Sequence, residues 1–121
     1  LEAITLGETE FRLIMGVNHP LLNKPELSLK TLLELPFVCP ASSVFCGIER
    51  GIGSDGWPDK NHPRIIKYRT DDFNSLLSIV NRGQALAYIP AIALNHQLRD
   101  VTPPDFNYTN KEQYLLVYRP A

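Results

Sequence analysis

Apolar positions recur along this chain with two different periods, and the best-defined unit runs from Arg69 to Pro90. Phe73, Leu76, Leu77 and Val80 fall at i, i+3, i+4 and i+7, with Asn74, Ser75, Ser78 and Asn81 outside the stripe, so the pattern predicts an amphipathic helix. Thr70 is expected to cap it, with Asp71 and Asp72 adding negative charge where unpaired backbone N–H groups favour it. Arg82 and Gly83 supply the stop, a cation near the last carbonyls and a residue that can turn left-handed. Ala85 to Ile89 then shows no polar alternation, which is expected of a short strand covered on both faces, as in a parallel sheet.

The remaining signals are shorter. Phe11 to Val17 reads as a strand, central or next to central, ended by Asn18-His19-Pro20. Ser28 is placed to cap a short helix with Leu29, Leu32 and Leu33 inward; Pro36 ends it, and Phe37-Val38-Cys39 is a further strand. A helix is expected from about Val44 to Ile52, with Phe45, Ile48 and Ile52 on one side and Cys46, Glu49 and Arg50 on the other, broken by Gly51, Gly53, Gly56 and Pro58. Ser54 to Pro63 is a loop by composition, and Arg64 to Tyr68 is a strand leading into the first helix described. After Pro90 a short helix with Ala91, Leu94 and Leu98 inward is expected. Val101 to Asn110 has no period, and Gln113 to Tyr118 is a strand.

Composition narrows the class. With 121 residues, 44% hydrophobic and 21% charged, residues 1–121 are expected to form a single α/β domain with a real core and no membrane-length apolar run. Twelve Lys and Arg against 13 Asp and Glu give a formal charge of −1, so no basic surface for nucleic acid or an anionic membrane is expected. The first residues lack a signal-peptide pattern and an initiator Met, which suggests a piece of a longer protein. Two Cys make no disulfide framework, favouring a reducing, cytoplasmic setting.

Motifs that carry chemistry are sparse. Gly51-Ile-Gly-Ser-Asp-Gly56 has the letters of a dinucleotide fingerprint, but it follows a helical pattern and leads into Trp57-Pro58, so a glycine-rich helix exit is the expected reading. His19, His62, His96, Cys39 and Cys46 have no zinc spacing. No nucleophile, base and orienting group can be assembled, so no enzyme, cofactor or metal is expected. Asn107-Tyr-Thr109 is a glycosylation triplet without a secretory context. Cys46, in the first turn of its expected helix with Arg50 one turn on, is either a redox-active thiolate or an inert small residue. Pro40-Ala41-Ser42-Ser43 and Arg69-Thr70-Asp71-Asp72 each follow a buried strand and precede a helix. In an open parallel sheet such turns line a ligand crevice and can hold a small anion, although helix capping needs the same residues.

The order of parts adds a family. His19-Pro20-Leu21-Leu22, Leu29-Lys-Thr-Leu32 with Pro36-Phe37-Val38, Leu77 to Pro90 and Tyr114 to Pro120 together resemble the effector-binding region of LysR-type transcriptional regulators. Ala85 stands where that family usually has a second glycine. The resemblance implies a single Rossmann-like lobe of a type 2 periplasmic-binding-protein-like fold, with a mostly parallel central sheet flanked by helices. It implies a cleft to which this lobe contributes Pro40, Ala41, Ser42, Ser43, Arg69, Thr70, Asp71 and Asp72, with Ile89 and Pro90 at its edge. The implied partner is a small-molecule effector, anionic by the crevice chemistry. DNA would be bound by a helix-turn-helix outside this chain, in a homo-oligomeric full-length protein, with no nucleic acid or membrane contact by the fragment itself. A lobe of a transport solute-binding protein and a cysteine-based redox sensor are the alternatives.

Overall fold

The computed structural model describes residues 2–24, 27–42, 53–108 and 111–118, the last stretch as backbone. The expected segment Val44 to Ile52, with Ser43, Cys46 and Gly51, lies outside the described residues. Strand β1 (Glu2–Gly16) is followed by helix α1 (Leu29–Leu33), β2 (Pro36–Pro40), β3 (Ile65–Thr70), α2 (Phe73–Asn81), β4 (Ala87–Pro90), a 3-10 turn (Ala91–Ala93), β5 (Leu98–Asp100) and β6 (Lys111–Tyr118).

The α/β class holds, and the strand pairing is mixed. β2 and β3 run parallel, with Pro36 opposite Ile65 and Pro40 opposite Thr70. β4 lies parallel to β2 through the Phe37–Leu86 bridge, with Val38 N–H donating to Leu86 C=O and Leu86 N–H to Pro36 C=O, both at 2.9 Å. β1 runs against β4, β5 and β6. The parallel arrangement expected of the buried strands holds for β2 and β4 and extends to β3, but β3 is not the buried strand expected: its residues alternate exposed and half-buried, because among the described residues it pairs with β2 alone. β1 sits centrally between β4 and β5.

β1 begins nine residues before the expected Phe11. Its first half, Glu2 to Glu10, pairs with β6, a partner distant in sequence that supplies the ladder hydrogen bonds the local pattern cannot announce. Its second half is buried on both faces, as a central strand must be. Phe11, Leu13 and Met15 pack with Leu29, Leu32, Phe37, Trp57, Leu86 and Tyr88. Ile14 points the other way, to Val38, Leu76, Val80, Ala85, Ala87, Ile89 and Leu98. Strand alternation thus splits one apolar run between two layers. At about 1.5–3 kcal/mol for each large side chain removed from water, these two layers supply most of the driving force for folding.

α1 forms as expected, with the Ser28 hydroxyl accepting from Thr31 N–H at 3.2 Å. The stripe of α2 also forms: Leu76 and Val80 are buried, and Phe73 and Leu77 pack against the same cluster. The cap of α2 differs from expectation, being Asp72 rather than Thr70. β3 keeps pairing with β2 through Thr70, so the backbone of Thr70 is still extended, and its hydroxyl accepts from Asp72 N–H at 3.2 Å instead. The helix expected after Pro90 is also corrected. Only the 3-10 turn forms, and Leu94 is already extended. Leu98 faces inward from a strand, since pairing of β5 with β1 gives these residues more backbone bonds than one helical turn would.

Candidate functional site

Because β2, β3 and β4 are parallel, their carboxyl ends lie along one edge of the sheet, where open α/β sheets place their ligands. Pro40, Thr70 and Pro90 are the last residues of the three strands. β2 and β3 stay joined past their ends: Ala41 N–H donates to Thr70 C=O at 3.1 Å, and the Ser42 hydroxyl donates to Asp71 Oδ1 at 3.1 Å. Ala41, Ser42, Arg69, Asp71 and Asp72 are exposed, Thr70 is half-buried, and Pro40, Ile89 and Pro90 are buried. Ile89 belongs to the core, so it reaches this edge only through its backbone. Thus the structure brings Pro40 to Ser42 together with Arg69 to Asp72, and puts Ile89 and Pro90 on the neighbouring strand. Ser43 and the redox candidate Cys46 lie outside the described residues.

The charges on this edge are unequally committed. Asp72 caps α2, accepting from Asn74 N–H at 3.2 Å and from the Ser75 hydroxyl at 2.7 Å, which holds its carboxyl below the usual range. The helix N-terminus therefore already carries an anion of its own. Arg69, in register with Cys39, donates through Nη1 to Cys39 Sγ at 3.6 Å. Among the described residues no carboxylate lies within ion-pair distance of it. Burial pushes the Cys39 thiol up, with Asp55 adding to the rise, while Ser54, Arg64 and Arg69 pull it down. A fully buried thiol held in that way stays protonated and unreactive at neutral pH.

Two contributors to this edge are invisible in the sequence pattern. Ser54 donates its hydroxyl to the Pro40 carbonyl at 2.5 Å. Thr9 is buried and its Oγ1 accepts from Ile92 N–H at 3.0 Å, tying the turn after β4 to β1. Ile92 itself is exposed. Ser54 and Thr9 act across large sequence separations, and neither sits at a periodic position or in a recognisable turn motif.

A family model described as the LysR substrate binding domain matches residues 1–121. The chain belongs to the LysR substrate-binding domain family. Solved structures of such domains share the fold of this LysR-family lobe. The bromide-bound regulatory domain of HypT from Salmonella typhimurium is 14% identical, with a TM-score of 0.62 over 94% of this chain and 53% of that one. The effector-binding domain of QuiR in complex with shikimate is 14% identical, with a TM-score of 0.59 over 94% and 54%. A putative transcriptional regulator from Vibrio parahaemolyticus is 22% identical, with a TM-score of 0.57 over 95% and 53%. The chain thus spans about half the length of these structures. No curated protein matches it in sequence. Among the described residues, no helix is long and apolar enough to cross a membrane, and no group of His, Cys, Asp and Glu could hold a metal ion.

Proposed function

We propose that this LysR-family lobe is the effector-sensing part of a bacterial transcriptional regulator. It binds a small anionic molecule in an interlobe cleft and thereby controls a DNA-binding domain outside the chain. The observation that carries this reading is the carboxyl edge of β2, β3 and β4, where Pro40 to Ser42 and Arg69 to Asp72 meet around an exposed arginine with no carboxylate partner among the described residues. Relatives of the same fold with shikimate or bromide bound support a small-molecule ligand.

On this reading the effector's negative charge is met by Arg69, since Asp72 closes the α2 terminus to a second anion. Asp71, positioned by Ser42, accepts a hydroxyl or amine of the effector. Binding shifts the balance between two arrangements of a homo-oligomeric regulator by differential affinity, and the DNA is touched by the other domain.

The test is a thermal-shift titration of the intact protein with shikimate, bromide and a set of small organic carboxylates. We expect at least one carboxylate to raise the midpoint, and Arg69→Gln to weaken its binding by about tenfold or more, equivalent to about 1.4 kcal/mol. An affinity unchanged in Arg69→Gln, Thr70→Ala and Asp71→Asn would remove this edge from the binding site.

A further inference from the structure

Against β2, reaching from Phe37 near its amino end, where Arg64 leads into β3, lies a buried charge cluster that the effector reading does not use. Arg64 donates through Nη1 and Nη2 to the two oxygens of Asp55, each at 2.7 Å, and through Nε to Asp59 at 2.9 Å. Its side chain is fully buried and that of Asp55 nearly so. The guanidinium stands 5.3 Å from the Phe37 ring of β2 and 5.5 Å from the Trp57 ring. The loop carrying these groups is also closed on itself, with Gly53 N–H donating to Trp57 C=O at 2.8 Å and Trp57 Nε1–H to His62 C=O at 2.8 Å. A Cβ on Gly53 would collide with Asp59 and Arg64.

Such a cluster is an expensive way to hold a loop, because Arg64 and Asp55 are taken out of water, with Asp59 partly exposed, at a desolvation cost that a well-packed apolar set would avoid. What charge pairing adds is a single allowed geometry, since a bidentate guanidinium fixes both distance and orientation. The residue next to Asp55 is Ser54, and its hydroxyl ends on the Pro40 carbonyl, the last residue of β2. From the opposite side β3 holds the same turn, through Thr70 on Ala41 and Asp71 on Ser42.

We propose that the segment from Gly53 to Arg64 is a latch that sets the shape of the Pro40–Ser42 turn, with Ser54 as a positioning residue for the effector site. The proposal rests on the effector reading of that edge. Arg64, Asp55 and Asp59 fix where Ser54 stands, and Ser54 fixes the carbonyl from which the turn departs. The effector then meets a preorganised wall, and the ordering of the turn is completed during folding instead of during binding.

Amide hydrogen exchange on the intact protein, with Ser54→Ala and Ser54→Thr, tests the latch without any ligand. We expect Ser54→Ala to speed exchange at Ala41 by about tenfold while Val38, bonded to Leu86, exchanges as before. Ser54→Thr, which keeps the hydroxyl, should restore Ala41. Unchanged exchange at Ala41, or faster exchange along all of β2, overturns the latch. Shikimate, bromide and the carboxylate set are titrated in parallel. A wild-type response that Ser54→Ala weakens by about fivefold and Ser54→Thr restores supports positioning, and an unweakened response overturns it. A wild type that answers none of these probes overturns the effector reading, and positioning with it, while the exchange result still decides the latch.

Discussion

Arg64 and Asp55 form a bidentate pair, both guanidinium Nη atoms meeting both carboxylate oxygens at 2.7 Å. Asp55 also accepts from Trp57 N–H at 3.1 Å, so one carboxylate orders the loop backbone and the cation together. Asp55 and Asp59 hold the Arg64 pKa well above its ordinary value even though burial alone would lower it. The guanidinium is therefore charged at every accessible pH.

Removing one partner should cost far more than removing the pair. Arg64→Met leaves Asp55 buried and unpaired and should lose about 3–5 kcal/mol in urea unfolding, whereas Arg64→Met with Asp55→Leu and Asp59→Leu should recover much of that loss. Equal losses in the single and triple variants would show that the cluster acts through packing on Phe37 and Trp57 alone.

Gly83 should be intolerant of a side chain. Its φ is 75°, and an added Cβ would lie 2.7 Å from the Asn18 carbonyl oxygen, so Gly83→Ala should lower stability by about 2 kcal/mol or more. A midpoint within error of wild type would mean that the turns after α2 and after β1 move apart at little cost.

Stability should fall on mild acidification through His19. Its Nδ1 accepts from Leu21 N–H at 3.1 Å, and burial lowers its pKa below 6.5. The unfolded chain then takes up the proton first, so the contribution is complete above about pH 6.5 and is lost as pH drops through the window below it. His19→Asn should be less stable at neutral pH and flatter as pH falls below about 6.5. An unchanged slope in urea unfolding would assign the acid loss to other groups.

Capping of α2 should follow Asp72 and not Thr70. Asp72→Ala should lower helicity and thermal midpoint, Asp72→Ser should retain much of both, and Thr70→Ala should do less than Asp72→Ala. Since hydrogen bonds from Ser75 and Asn74 lower the Asp72 pKa below 3.8, the cap is complete above that value and weakens as pH falls through the lower, folded value. Circular dichroism between neutral pH and strong acid measures both effects.

The sequence by itself determined the parts whose energetics are local. The Leu76–Val80 stripe, the Ser28 cap, the left-handed Gly83 and the buried run before Pro90 each depend on neighbours within a few residues, and each stands where the pattern put it. The Pro40 and Thr70 strand ends do lie paired on one sheet edge, although β3 is half-exposed where a buried strand was expected. The tertiary structure decided everything that rests on distant partners. Thr70 lost the cap to Asp72 because pairing with Pro40 keeps it extended. β1 runs back to Glu2 because β6, about a hundred residues away, supplies its ladder. Ser54 reached Pro40, and Arg64 found Asp55 and Asp59 beneath the Phe37 and Trp57 rings. No short-range period encodes such contacts, because they become favourable only after the chain has already closed the loops that join them.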